Sequence, residues 1–158
     1  MAEQRAYDPP AELVRVTENI ARLNPGQKLI YDQILASVLR SDSQGRPQGR
    51  HFFVYGPGGT GKLFTWNTLA ASCRGGSLIV LCITSSGIAS LILTSSWTSY
   101  SMFGISVEIY KNLVLTIKKN SLKGELLRKT RLIIWDEVPM QHRFTLEAID
   151  RTLRDFMN

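Results

Sequence analysis

The sequence predicts an α/β domain built on a parallel sheet, and three observations predict it. Three short runs, "HFFVY", "SLIVLCIT" and "RLIIWDE", have the length and the apolar, β-branched content of buried strands. Segments with apolar residues at helical spacing separate them. The first run passes through a glycine-rich turn straight into a helical stretch, the order strand, loop, helix that a parallel sheet with crossover helices requires.

The bulk properties agree. A chain of 158 residues has the length of one domain and can bury roughly 70% of its unfolded surface. Apolar residues at 44% and charged residues at 20% exclude a disordered, self-repelling chain. Nineteen Lys and Arg against 13 Asp and Glu leave a net charge of +6. That surplus suits a polyanion such as nucleic acid, and equally an ordinary solvated basic surface. Two cysteines, Cys73 and Cys82, are too few for a disulfide scaffold and form no metal-ligand pair. "MAEQRAYDPP" has no apolar signal core, and "LIVLCI" is far shorter than a membrane span. The expectation is an intracellular chain with no membrane partner.

Taken in order, residues 1–22 read as a polar tail or linker with one short helix from Glu12 to Arg22, and the domain proper as residues 23–158. "NPG" marks a turn, after which Ile30, Ile34 and Val38 predict an amphipathic helix. "SDSQGRPQG" is a surface loop. "HFFVY" is the first strand, and Lys62 to about Ser72 the helix after it. "SLIVLCIT" is the second strand, and "SSGIASLIL" supplies an N-cap serine and a further helix. The pattern weakens from Thr94 to Thr130 apart from a helix through "LKGELLRK", and "RLIIWDE" is the third strand. From Gln141 to Met157, Leu146, Ile149, Leu153 and Phe156 share one helical face, with Glu147 to Arg151 and Asp150 to Arg154 pairing on the other.

Chemistry concentrates at two places. Gly56, Pro57, Gly58, Gly59, Thr60, Gly61 and Lys62 match G-x-x-x-x-G-K. Glycines let the backbone turn successive N–H groups toward a phosphate, the helix that follows adds its positive end, and Lys62 adds a point charge for the outer phosphates. Leu63 stands where a hydroxyl would ordinarily bind the nucleotide's Mg²⁺. Downstream, Asp136 and Glu137 end an apolar strand, the place of a metal-holding and water-polarising acid pair in phosphate-loop ATPases. Gln27 can read adenine through its amide or simply face solvent at a helix start. Trp97, Tyr100 and Phe103 lie among hydroxyls, as a stacking surface for single-stranded nucleic acid or as a core cluster. No Ser-His-Asp or metal cluster can be built around His51 or His142.

Together "LNPGQ", "GPGGTGK", "SSGIAS", "IIWDEVPMQH" and "EAIDRTLRD" resemble the petite-integration-frequency class of superfamily-one DNA helicases. The likeness runs from about Leu23 to Met157 and is strongest to the branch fused to, or derived from, rolling-circle Helitron transposons of plants. It implies a RecA-like, three-layer phosphate-loop NTPase fold and an ATP-dependent DNA helicase moving 5′-to-3′ on single-stranded DNA. It also implies ATP and Mg²⁺ as cofactors, roles in replication, recombination, repair and telomere maintenance, and a place in the nucleus. No obligate protein partner follows from it.

By the same resemblance Gln27 reads adenine, Gly56 to Lys62 with the adjoining Leu63 hold the nucleotide, and Lys62, Asp136 and Glu137 are catalytic. Asp136 is the metal ligand. Ser85, Ser86 and Thr98, with Trp97 and Tyr100, fall in the segment that contacts DNA. Three departures stand out: Leu63 itself, Trp97 and Tyr100 in place of an Arg and a His, and the end at Asn158, ahead of a strand with a γ-phosphate-sensing Gln and a second domain. In the family that strand lies between those before Gly56 and Asp136, so the resemblance predicts an incomplete, aggregation-prone sheet. Activity of these residues alone is expected to be absent. The rival reading is a non-catalytic remnant that binds nucleotide or DNA weakly.

Overall fold

A computed structural model describes residues 9–40, 50–87, 91–106 and 108–157. It is an α/β fold with a three-stranded parallel sheet, consistent with part of a RecA-like phosphate-loop domain. The chain divides into two compact units, Ala6–Val80 and a second built on Leu81–Asn158.

The first unit is helical. Helix α1 (Pro9–Ala21) opens on two prolines, tolerated there because the first-turn N–H groups have no intrahelical acceptor. It packs against α3 (Lys62–Gly75) and buries Val16. Helix α2 (Pro25–Leu39) begins with a capping box: the Asn24 side chain accepts from Gln27 N at 2.9 Å, and Gln27 Oε1 accepts from Asn24 N at 3.0 Å. Its buried stripe is Tyr31, Ile34 and Val38, with Ile30 only half-buried. The Ser72 hydroxyl donates to Thr68 O at 3.0 Å, so Tyr31 is the donor in its 2.6 Å contact with Ser72. Helix α3 buries Thr65, Trp66, Thr68, Leu69, Ala70, Ala71 and Cys73, a broad apolar surface suited to two covering helices.

The second unit holds the sheet apart from the first two residues of its central strand, and the strand order is β2, β1, β3. Strand β1 (Ile79–Thr84) is central and wholly buried after its first residue, which is why it reads as an unbroken apolar run. Strand β2 (Ser96–Thr98) pairs with it in parallel, Cys82 opposite Ser96 and Thr84 opposite Thr98. Helix α4 (Ser99–Phe103) follows, its first turn capped by Thr98 Oγ1 accepting from Ser101 N at 3.2 Å. Helix α5 (Leu122–Lys129) is capped by Ser121 and leads into β3 (Thr130–Asp136). A 3₁₀ turn (Val138–Met140) and helix α6 (Arg143–Met157) complete the unit. Its core contains Leu81, Ile83, Leu93, Met102, Phe103, Leu113, Leu127, Ile149 and Phe156.

Several expectations are corrected. "HFFVY" is not a strand: residues 51–57 carry no regular structure and have no place in the described sheet. A strand needs a neighbour to take its backbone hydrogen bonds, and without one Phe53 and Tyr55 stay 79% and 86% exposed. The helix expected at "SSGIASLIL" falls partly on residues 88–90, outside the described residues; on its described flanks, 85–87 are bend and turn, and Leu91 is 3₁₀-helical before a further turn and bend. On α6, Asp150 pairs with Arg154 at 2.9 Å as expected, but Glu147 pairs with Arg143 at 3.3 Å. Arg151 instead donates to Leu113 O at 2.8 Å in a part-buried bond, and the exposed ion pair it forgoes would have contributed little. No helix among the described residues is long and apolar enough to cross a membrane.

Candidate functional site

The phosphate loop belongs to the first unit and is held mainly by its own backbone. Gly59 and Gly61 sit at φ of 79° and 77°, the left-handed region that a side chain disfavours. Those two reversals turn the chain so that α3 begins at Lys62, with Gly61 as its N-cap. Thr60 Oγ1 donates to Pro57 O at 2.9 Å. Lys62 Nζ donates to Gly56 O at 2.6 Å and to Pro57 O at 2.8 Å. The ammonium thus lies across the loop on carbonyls, the position from which a phosphate oxygen would draw it away.

Gln27 is locked to this loop. Its Nε2 donates to Thr60 O at 3.0 Å while its Oε1 takes Asn24 N, so both ends of the amide are oriented. One N–H and one lone pair remain, the pair of complementary groups that an adenine edge needs. A Cβ on Gly61 would run into Gln27 Nε2, so glycine at 61 is required twice, by its φ and by this approach. Gln27, Gly56, Pro57, Thr60 and Lys62 line an open cavity of about 290 Å³, with Ile30, Val54, Tyr55 and Trp66 as its apolar wall. Gly58 and Gly59 have open space around them, Gly61 is half-buried, and Leu63 is the half-buried second residue of α3. Leu63 offers no oxygen.

The acid turn belongs to the second unit. Asp136 ends β3 half-buried, and Glu137 is exposed, with a left-handed φ of 58°. Ser85, directly after β1, donates through Oγ to Glu137 O at 2.7 Å, with Asp136 O at 3.5 Å. The Trp135 indole donates to the same Oγ at 3.2 Å, and Ser86 Oγ lies 3.5 Å from Glu137 Oε2. Gln141 Nε2 donates to Ser85 O at 3.4 Å, and the Trp135 ring stacks on Phe103 at 5.6 Å between centroids. Sequence reading missed Trp135 and Gln141. An indole immediately before paired acids was the available signal. The structure therefore brings Ser85 and Ser86 together with Asp136 and Glu137, residues expected to serve separate tasks.

Of the other residues expected to meet DNA, Trp97 is half-buried in β2 opposite Ile83, the Thr98 hydroxyl caps α4, and Tyr100 is 42% exposed. Lys123 Nζ donates to Ser101 O at 2.6 Å, which sets a cation beside that segment. Among the described residues no group of three or more His, Cys, Asp and Glu is placed to hold a metal ion. Two carboxylates alone are a fitting partial shell for Mg²⁺, a hard cation that keeps waters and takes phosphate oxygens. Leu63 does not fit that role.

A family model described as PIF1-like helicase matches residues 22–158. Among curated proteins, "ATP-dependent DNA helicase Pif1" from Psychrobacter sp. (strain PRwf-1) is 26% identical over 107 residues. That alignment covers 67% of this chain and 16% of the relative.

Proposed function

The chain belongs to the PIF1-like helicase family, and from that premise we propose that it forms the ATP-binding and water-activating part of an ATP-dependent DNA helicase moving 5′-to-3′ on single-stranded DNA. The observation that carries the reading is the phosphate loop, where two left-handed glycines and a locked Gln27 form one rigid receptor. On binding, the triphosphate takes Lys62 from the carbonyls of Gly56 and Pro57, and backbone N–H groups at the start of α3 face the phosphates. Gln27 directs its remaining donor and acceptor at adenine. Glu137 polarises the attacking water, and Asp136 would hold Mg²⁺, which supplies neutralisation of charge on the phosphates when bound.

Single-stranded DNA is the proposed partner, supported by the +6 net charge, exposed Tyr100 and the neighbouring Lys123. The proposal extends to the Helitron-like branch and to repair, recombination and telomere roles in the nucleus, on the five sequence motifs quoted above.

The test is direct. Labelled ATP should bind the chain and lose at least about tenfold in affinity in Lys62→Ala, since one charged contact is worth about 1.5–3 kcal/mol. Fluorescence anisotropy should show single-strand binding that weakens with salt and falls in the Trp97→Ala, Tyr100→Ala double variant. Binding of neither ligand would sink the reading, and nucleotide binding without any hydrolysis in a complete relative carrying these motifs would favour the non-catalytic remnant.

A further inference from the structure

The family likeness puts Ser85 at the DNA, yet the geometry occupies its hydroxyl inside the protein. A serine hydroxyl has one proton to give. Here that proton goes to Glu137 O at 2.7 Å, much closer than Asp136 O at 3.5 Å. A lone pair of the same oxygen receives the Trp135 indole at 3.2 Å. The indole ring stacks on Phe103, which is 1% exposed, and that contact favours the orientation in which it reaches Ser85. The Ser85 carbonyl is engaged as well, by Gln141 Nε2 at 3.4 Å from beyond the 3₁₀ turn.

The residue held by this network needs holding. Glu137 has a Cβ and nevertheless sits at φ 58°, a conformation that persists in a side-chain-bearing residue only when its surroundings impose it. That conformation sets where the Glu137 carboxylate points. The bond from Ser85 falls on the Glu137 carbonyl itself, so it acts on the backbone whose rotation would redirect the side chain. Ser86, 3.5 Å from Glu137 Oε2, adds a contact at the far end of the same side chain.

We propose that Ser85 is a positioning residue for Glu137, locking the left-handed turn through its hydroxyl, with Trp135 fixing the orientation of that hydroxyl. The proposal rests on the reading of Glu137 as the group that polarises water. It makes the loop after β1 part of the hydrolytic centre, and a shift of that loop becomes a change in where Glu137 points.

The test compares Ser85→Ala, Ser85→Thr and Trp135→Phe in the full chain, and, for turnover, at the matching positions of a complete relative carrying the same motifs. Trp135→Phe keeps the ring on Phe103 and identifies the Trp135 indole resonance by its loss. In Ser85→Ala the Trp135 indole proton should move upfield and the Glu137 amide should shift, while Ser85→Thr, which keeps the hydroxyl, leaves both near their wild-type positions. Turnover should fall about ten- to a hundredfold in kcat with KM unchanged in the Ala variant, the scale of a misplaced reacting group. The Thr variant should recover it. Single-strand affinity should stay within about twofold in Ser85→Ala, whereas a lost bond to a DNA phosphate would weaken it about tenfold.

Unmoved resonances in Ser85→Ala would overturn the proposal, as would a tenfold loss of DNA affinity with kcat intact. If the complete relative carrying these motifs hydrolyses no ATP, the functional reading fails, and the two resonances still decide whether Ser85 fixes the turn.

Discussion

Replacing Leu63 by Thr should make nucleotide binding depend on Mg²⁺ while making the free protein less stable. Leu63 is the second residue of α3, directly after Lys62, and its side chain is half-buried. A hydroxyl there would help to hold Mg²⁺ beside the phosphates, an interaction with a charged centre worth about 1.5–3 kcal/mol. At about 1.4 kcal/mol per factor of ten this is ten- to a hundredfold in affinity. Against it, threonine is a poorer helix former than leucine by roughly 0.5 kcal/mol. Giving up part of a half-buried leucine costs about 1 kcal/mol more. For a chain of this size that sum lowers Tm by about 3–6 °C.

The assay is titration of a fluorescent ATP analogue into both proteins in Mg²⁺ and in EDTA, with melting curves of the ligand-free forms. The wild type should bind almost equally in the two buffers, because its contacts to phosphate come from backbone N–H groups and Lys62. Leu63→Thr should bind about ten- to a hundredfold more tightly in Mg²⁺ than in EDTA. Opposite signs in the two measurements separate metal positioning from general stabilisation. A wild type that already gains tenfold from Mg²⁺, or a Thr variant that gains nothing, would refute the reasoning.

Three further outcomes can be measured on the same chain. Gly61→Ala forces a side chain into φ 77° and onto Gln27 Nε2, so it should cost about 1–2 kcal/mol, lower Tm by about 2–8 °C and weaken ATP binding; an unchanged melt and affinity would show that the loop relaxes freely. Burial pushes the Tyr31 phenol above its ordinary value. The folded state therefore holds this proton more tightly, so its contribution is complete below pH 10 and is lost as pH rises through the folded value. Tyr31→Phe should flatten that part of the alkaline stability curve, and an identical curve in the variant would assign it elsewhere. Phe53→Ser with Tyr55→Ser, at side chains 79% and 86% exposed, should reduce self-association on a sizing column without lowering Tm; a fall in Tm would mean that these rings pack in solution.

What the sequence disclosed follows from where the information lies. Helix α5 was legible to the residue because Ser121, the apolar spacing and the terminal Lys129 are all local signals. Gly59 and Gly61 were legible because the phosphate-loop pattern and their left-handed φ values call for the same residue. Strand β2 was not legible. Three residues, Ser96 to Thr98, become a strand only because β1 offers its edge to them. "HFFVY" is the converse case, with strand-like residues and no neighbour among the described strands. The Ser85 network joins positions 50 to 56 residues apart, and no spacing rule connects a serine after one strand to an acid after another. Without the hydrogen bonds Ser85 could be assigned only by family likeness, which pointed it at DNA.

The answer to Leu63 comes from the division of labour within the loop. The conformation of Gly59 and Gly61, the bonds of Lys62 to Gly56 and Pro57, and the tie from Gln27 to Thr60 all run through backbone atoms or through side chains other than that of residue 63. A leucine there leaves the receptor for phosphate and base as it is. The metal is different, because a hydroxyl at this helix position is a direct ligand and no neighbouring loop side chain replaces it: Thr60 Oγ1 is already turned to Pro57 O, and Thr65 Oγ1 lies 3.3 Å from Gly61 O and is 3% exposed. Nucleotide docking and metal positioning, coupled through one hydroxyl in a loop that carries it, are uncoupled here. On the proposed function, affinity for the nucleotide therefore persists while hydrolysis is slowed, and the rate, rather than the binding constant, is the quantity on which Leu63 is expected to act most strongly.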